Sequence, residues 1–131
     1  MKTLTTNQKT NKTTQDIIDF LTDSHVFVWR QNTAPIPVQK NGVVTGFRSG
    51  GKSGRTDIMG MVEIIPYLIG LPLHIEVKTG KDKLRPEQIG FLKTTAQFGA
   101  INLVVSDYAD FLTKWQNVLK YIKKLSTAIR V

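Results

Sequence analysis

Apolar residues recur along this chain with two periods, and the switches between them outline a succession of helices and strands. Ile17, Ile18 and Leu21 follow helical spacing between Thr14, which is able to cap, and Ser24, with Asp16 well placed in the first turn. Val26 to Asn32 (VFVWRQN) is rich in β-branched and aromatic residues and reads as a strand that Pro35 and Pro37 terminate. A short apolar run, Val43 to Thr45, leads into GFRSGGKSGRT, a mobile basic loop by composition. Asp57–Ile65 and Leu73–Thr79 are strands on either side of a segment holding Pro66, Gly70 and Pro72, and together they predict a β-hairpin. Pro86 is suited to a first helical position, and Ile89, Leu92 and Ala96 continue at helical spacing as far as Gly99. Ile101–Ser106 is almost wholly apolar, as a strand covered on both faces requires. Phe111, Leu112, Trp115, Val118, Leu119 and Ile122 then mark a final amphipathic helix. The expected order is α-β-β-β-α-β-α, with one further short strand in the basic segment. This is an α/β chain with a central sheet flanked by helices.

Residues 1–13 hold five threonines, three lysines and little that is apolar, so they predict a disordered basic tail ahead of a single domain over 14–131. A length of 131 residues suits one domain. The chain has no cysteine, which excludes disulfide scaffolds and thiol catalysis, and its two histidines cannot make a three-histidine zinc site. Eighteen Lys and Arg against ten Asp and Glu leave a net charge of +8, which points to a polyanionic partner, DNA first. The longest uncharged stretch, Ile64–Ile75, is shorter than the roughly 20 residues of a membrane span. The polar N-terminus lacks the apolar centre of a secretory signal, so a cytoplasmic, nucleoid-associated protein is expected.

Two motifs bear on chemistry. Gly46, four residues, then Gly51-Lys52-Ser53 matches the phosphate-binding loop pattern, but that loop must open directly into a helix. Gly54, Thr56, Gly60 and β-branched residues follow instead, which leaves a phosphate-loop nucleotidase as the weakest reading. The second motif is the set Asp57, Glu76, Lys78 and Gln88. In Ile75-Glu76-Val77-Lys78, strand alternation sends Ile75 and Val77 to one face and Glu76 and Lys78 to the other. A hairpin centred between Pro66 and Tyr67 sets Asp57 opposite Glu76, with Cβ atoms about 5 Å apart. Two carboxylates at that separation repel unless a cation lies between them, and oxygen ligands select Mg²⁺ or Mn²⁺. Lys78 points into the same site, where it orients a water or stabilises charge on a phosphorus centre, and Gln88 steadies that water or the lysine. A solvated Glu–Lys pair is the plain alternative for any single E-x-K.

Gly54-Arg55-Thr56-Asp57, IEVKTG at 75–80, Pro86-Glu87-Gln88, Gly99 and the INLVVSD strand, in that order, resemble the VRR-NUC branch of the PD-(D/E)XK nucleases over roughly residues 14–112. Val28-Trp29-Arg30 is similar to the strand that precedes the acidic motif there. The resemblance implies a restriction-endonuclease-like fold and a metal-dependent deoxyribonuclease. It places catalytic roles on Asp57, Glu76 and Lys78, with Gln88 in support and the Val77 backbone carbonyl as a further metal ligand. Two departures stand out. The glutamate that members often carry in the first helix is missing, with Gln15 or Asp16 as substitutes, and Thr56 replaces the usual proline before the first acid.

Arg48, Lys52, Arg55, Lys81, Lys83 and Arg85 are the expected DNA contacts. His74 and His25 carry no expected catalytic role, and Trp29 and Trp115 read as core or interface residues. Symmetrical cutting of branched or four-way-junction DNA needs two sites, so a homodimer is expected. Its interface is the apolar hairpin tip, including Leu68 and Leu71. A catalytically silent DNA-binding module on the same fold is the main rival.

Overall fold

The computed structural model describes residues 3–31, 36–48 and 56–129. Its elements are α1 (Thr6–Asp23), β1 (Phe27–Arg30), β2 (Ile36–Lys40), β3 (Val43–Arg48), β4 (Ile58–Ile65), β5 (Ile69–Val77), α2 (Pro86–Gln97), β6 (Ile101–Val105) and α3 (Tyr108–Ile129). Four strands form a mixed sheet in the order β1-β4-β5-β6, with β5 and β6 parallel and the other pairs antiparallel. The expected α/β class is met. α2 makes the crossover that parallel pairing of β5 with β6 demands.

The expected disordered tail is corrected by α1, which starts at Thr6 rather than Thr14. Thr5 and Gln8 form a reciprocal capping box, with the Gln8 N–H on the Thr5 hydroxyl and the Thr5 N–H on the Gln8 side chain, so two otherwise orphaned donors are satisfied. The basic segment also differs from expectation. Pro37 does not terminate strand structure but lies within β2, and β2 and β3 form a separate two-stranded ribbon. Asn41 and Gly42, both at positive φ, make its two-residue turn.

The β4–β5 register pairs Ile58 with Ile75 and Gly60 with Leu73, so the hairpin is centred where the spacing predicts, between Pro66 and Tyr67. Ile58, Val62, Leu73, Ile75 and Val77 point to the face covered by α1 and α3, where they meet Ile17, Leu21, Phe111, Trp115 and Val118. Trp115 is therefore a core residue. Pro72 sits in a central strand without penalty from β6, because that strand pairs with β5 only from Leu73 onward. Gly60 is required by close approach: a Cβ there would lie 2.3 Å from the Phe27 carbonyl oxygen.

The apolar tip is smaller than its sequence suggests. Ile64 is buried and Leu71 packs on the core, which leaves Tyr67 and Leu68 as the exposed apolar residues of the turn.

Candidate active site

The site lies where β4 begins and β5 ends, on the face opposite the α1–α3 layer. Continuing the β4–β5 register by one step sets Asp57 against Glu76. The backbone holds this arrangement on both sides. The Val77 N–H donates to Asp57 Oδ2 at 2.8 Å, the Asp57 N–H donates to Glu76 Oε2 at 3.2 Å, and the Asp57 carbonyl accepts from the Gln31 N–H at 2.8 Å.

Glu76 is 3% exposed, so the plain alternative of a solvated Glu–Lys pair does not describe it. α2 covers it. Gln88, itself buried, donates from Nε2 to Glu76 Oε1 at 2.9 Å while its Oε1 accepts from the Arg85 N–H at 2.9 Å. The amide therefore caps α2 and fixes the carboxylate at once, rather than steadying Lys78 or a water. Lys78 Nζ lies 3.6 Å from Glu76 Oε1 and 3.5 Å from Asp82 Oδ2. Burial and the Asp57 carboxylate beside it push the Glu76 carboxyl up to about 7, against the pull of Lys78. A protonated Glu76 hydrogen-bonds to Asp57.

α2 is anchored by a half-buried polar chain. His74 Nδ1 and Asn102 Oδ1 are 2.8 Å apart, Asn102 Nδ2 donates to the Leu92 carbonyl and to Thr95 Oγ1, and Phe91 packs edge-on against the His74 ring. His74 is thus a packed residue. Neither substitute for the first-helix glutamate reaches the site. Gln15 donates to Asp19, and Asp16 pairs with Lys12, both along the surface of α1. Thr10 of α1 instead meets Thr79, next to Lys78 in sequence, with the two hydroxyls 2.5 Å apart. Asn11 accepts from Arg30 nearby. The early helix start that brings these residues in was signalled by Thr5 and Gln8 at capping-box spacing.

No family model matches this chain, and neither the curated proteins nor the solved structures provide a match. Its chemistry must be read from its own geometry. The donors that meet here are oxygens of two carboxylates, Asp57 and Glu76. Among the described residues no group of three or more His, Cys, Asp or Glu gathers at one point. Mg²⁺ is commonly held by one or two carboxylates and keeps several waters, so this donor set suits it. A divalent cation would also relieve the repulsion that raises Glu76.

Of the expected DNA contacts, Lys81, Lys83 and Arg85 are exposed on the segment between β5 and α2, with Arg85 3.4 Å from Glu87. Lys52, Arg55 and the side chain of Arg48 lie outside the described residues. Of the phosphate-binding pattern, Gly46 to Arg48 belong to β3 and the remainder lies outside the described residues, and the next described element is the strand β4, not a helix. Among the described residues no helix is long and apolar enough to cross a membrane.

Proposed function

We propose that the chain is a metal-dependent deoxyribonuclease of the PD-(D/E)XK type, of the VRR-NUC branch and with a restriction-endonuclease-like fold. The observation that carries this reading is the convergence of Asp57, Glu76 and Lys78 on one sheet face, with Gln88 locking Glu76. Asp57, Glu76 and the Val77 carbonyl are the groups that would hold Mg²⁺ or Mn²⁺, which supplies a nucleophilic water at neutral pH and screens the phosphate. Lys78 offers its ammonium to the phosphate oxygens or to the attacking water. Gln88 keeps the Glu76 carboxylate aimed, and the net charge of +8 draws the polyanion in. Branched or four-way-junction DNA is the proposed substrate, cut by a homodimer that buries Tyr67 and Leu68 at the hairpin tip. A cytoplasmic, nucleoid-associated setting fits that substrate.

The test is incubation of the protein with linear, flapped and four-way-junction DNA, with and without Mg²⁺ or Mn²⁺, beside Asp57→Asn and Glu76→Gln. Metal-dependent cleavage that disappears in both folded variants is expected. Comparable cleavage by both at saturating Mg²⁺ would sink the assignment. A second reading, a catalytically silent DNA-binding module, is favoured because among the described residues no third acid groups with Asp57 and Glu76. It predicts junction binding without cleavage under any metal. Sedimentation at micromolar concentration tests the dimer, and a monomer alone would refute it.

A further inference from the structure

Outside the site, the feature least explained by packing is the β2–β3 ribbon. Every described residue from Pro37 to Phe47 except Gly46 is exposed, including Val43, Val44 and Phe47, the last at 69%. The two strands pair with each other, and no other described element packs extensively against them. An isolated two-stranded hairpin is only marginally stable in water, so exposed apolar residues on one imply that something covers them.

Charge and reach identify the cover. Between Asp23 and Asp57 the sequence holds five Lys and Arg and no Asp or Glu. Two copies of such a segment repel one another, whereas a polyanion is attracted. The ribbon is also tethered to the site. Gln31 donates its N–H to the Asp57 carbonyl, and five residue steps, at most about 17 Å, separate it from Ile36 at the ribbon's base. The strands themselves span about 16 Å. Their far end is therefore within about 33 Å, the length of roughly ten base pairs, of Gln31, which is hydrogen-bonded to Asp57. A two-stranded ribbon fits the major groove of B-DNA, about 12 Å wide.

We propose that the β2–β3 ribbon is an arm that lies in the groove of duplex DNA flanking the hydrolysed phosphate, an assignment that rests on the nuclease reading for the identity of the polyanion. Val44 and Phe47, which the strand register puts on one face of the ribbon, lie against sugars and thymine methyl groups, while Lys40, beside the turn, reaches phosphate. The substrate class is thus DNA with a duplex arm on one side of the cut, not free single strands.

The experiment uses fluorescence anisotropy in EDTA with a labelled 30-base-pair duplex and a 30-nucleotide single strand, followed by hydroxyl-radical footprinting. The neutral double variant Val44→Ser with Phe47→Ser, on one exposed face of the ribbon, should keep the wild-type circular dichroism. It should lose at least tenfold in duplex affinity and under twofold in single-strand affinity, and its footprint should retract by about five base pairs. Lys40→Glu, which keeps the ribbon's apolar residues, should flatten the salt dependence of duplex binding by about one ion. Unchanged duplex affinity and footprint, or equal losses on duplex and single strand, would overturn the arm. A dimer-to-monomer shift with unchanged affinity per protomer would overturn it in favour of a second copy. Ribbon-dependent duplex binding by a protein that cleaves no DNA would support the arm and refute the nuclease.

Discussion

Two antiparallel hairpins of similar backbone construction occupy opposite conditions in this molecule. β4–β5 is flanked by β1 and β6, carries the core residues Ile58, Leu73 and Ile75 on one face and holds the candidate site on the other. β2–β3 has neither neighbouring strands nor a covering helix. Ladder hydrogen bonds are common to both, so the bonds are not what separates them. The difference is apolar burial: the buried hairpin fixes carboxylates to within hydrogen-bond distance, and the bare one keeps its side chains exposed.

The largest effect should come from truncating the two hairpins in turn. Ile75→Ala empties a fully buried position and should cost about 3–4 kcal/mol in urea unfolding, while Phe47→Ala should cost less than about 0.5 kcal/mol. Similar losses would mean that the ribbon packs on the body after all. Next in size, Lys78→Ala should lower turnover about 100-fold, roughly 2.7 kcal/mol, with DNA affinity changed less than about twofold. An equal fall in both would move Lys78 from chemistry to binding and blur the division between the hairpins.

A smaller effect concerns the charge of the buried hairpin alone. The Glu76 carboxyl is raised from 4.5 to about 7 in the folded chain, so between those pH values the folded state holds the extra proton. Stability of the metal-free protein should therefore fall as pH rises through that window. Glu76→Gln has no such group and should be more stable than the parent by about 2 kcal/mol at pH 8, with little difference at pH 4. Parallel urea midpoints for the two proteins across that range would show that Glu76 is not raised.

The centre of the β4–β5 hairpin was legible because a hairpin register follows from one sum of residue numbers, and every pair from Ile58–Ile75 to Glu63–Gly70 obeys it. The juxtaposition of Asp57, Glu76 and Lys78 came with it. The ribbon was half hidden by Pro37, which reads as a strand breaker although it is tolerated in a two-stranded element with free edges. Asn41-Gly42 was a readable signal for its turn. The start of α1 was masked by a polar composition that says nothing of capping. Gln88 was found as a site residue, but its true partner depends on how α2 sits on the sheet, which His74 and Asn102 decide through contacts far apart in sequence.

The chain leaves the sheet at Gln31 and re-enters it at Asp57, two residues joined by a backbone hydrogen bond, so everything between them enters and exits through a single gate. Changing the length of a loop whose ends are already held together is thermodynamically mild: each doubling costs only about 0.6 kcal/mol. The segment is therefore a natural cassette. Longer, shorter or differently charged inserts can be exchanged at that gate while the carboxylates keep their positions, so under the proposed function substrate preference is heritable separately from catalysis.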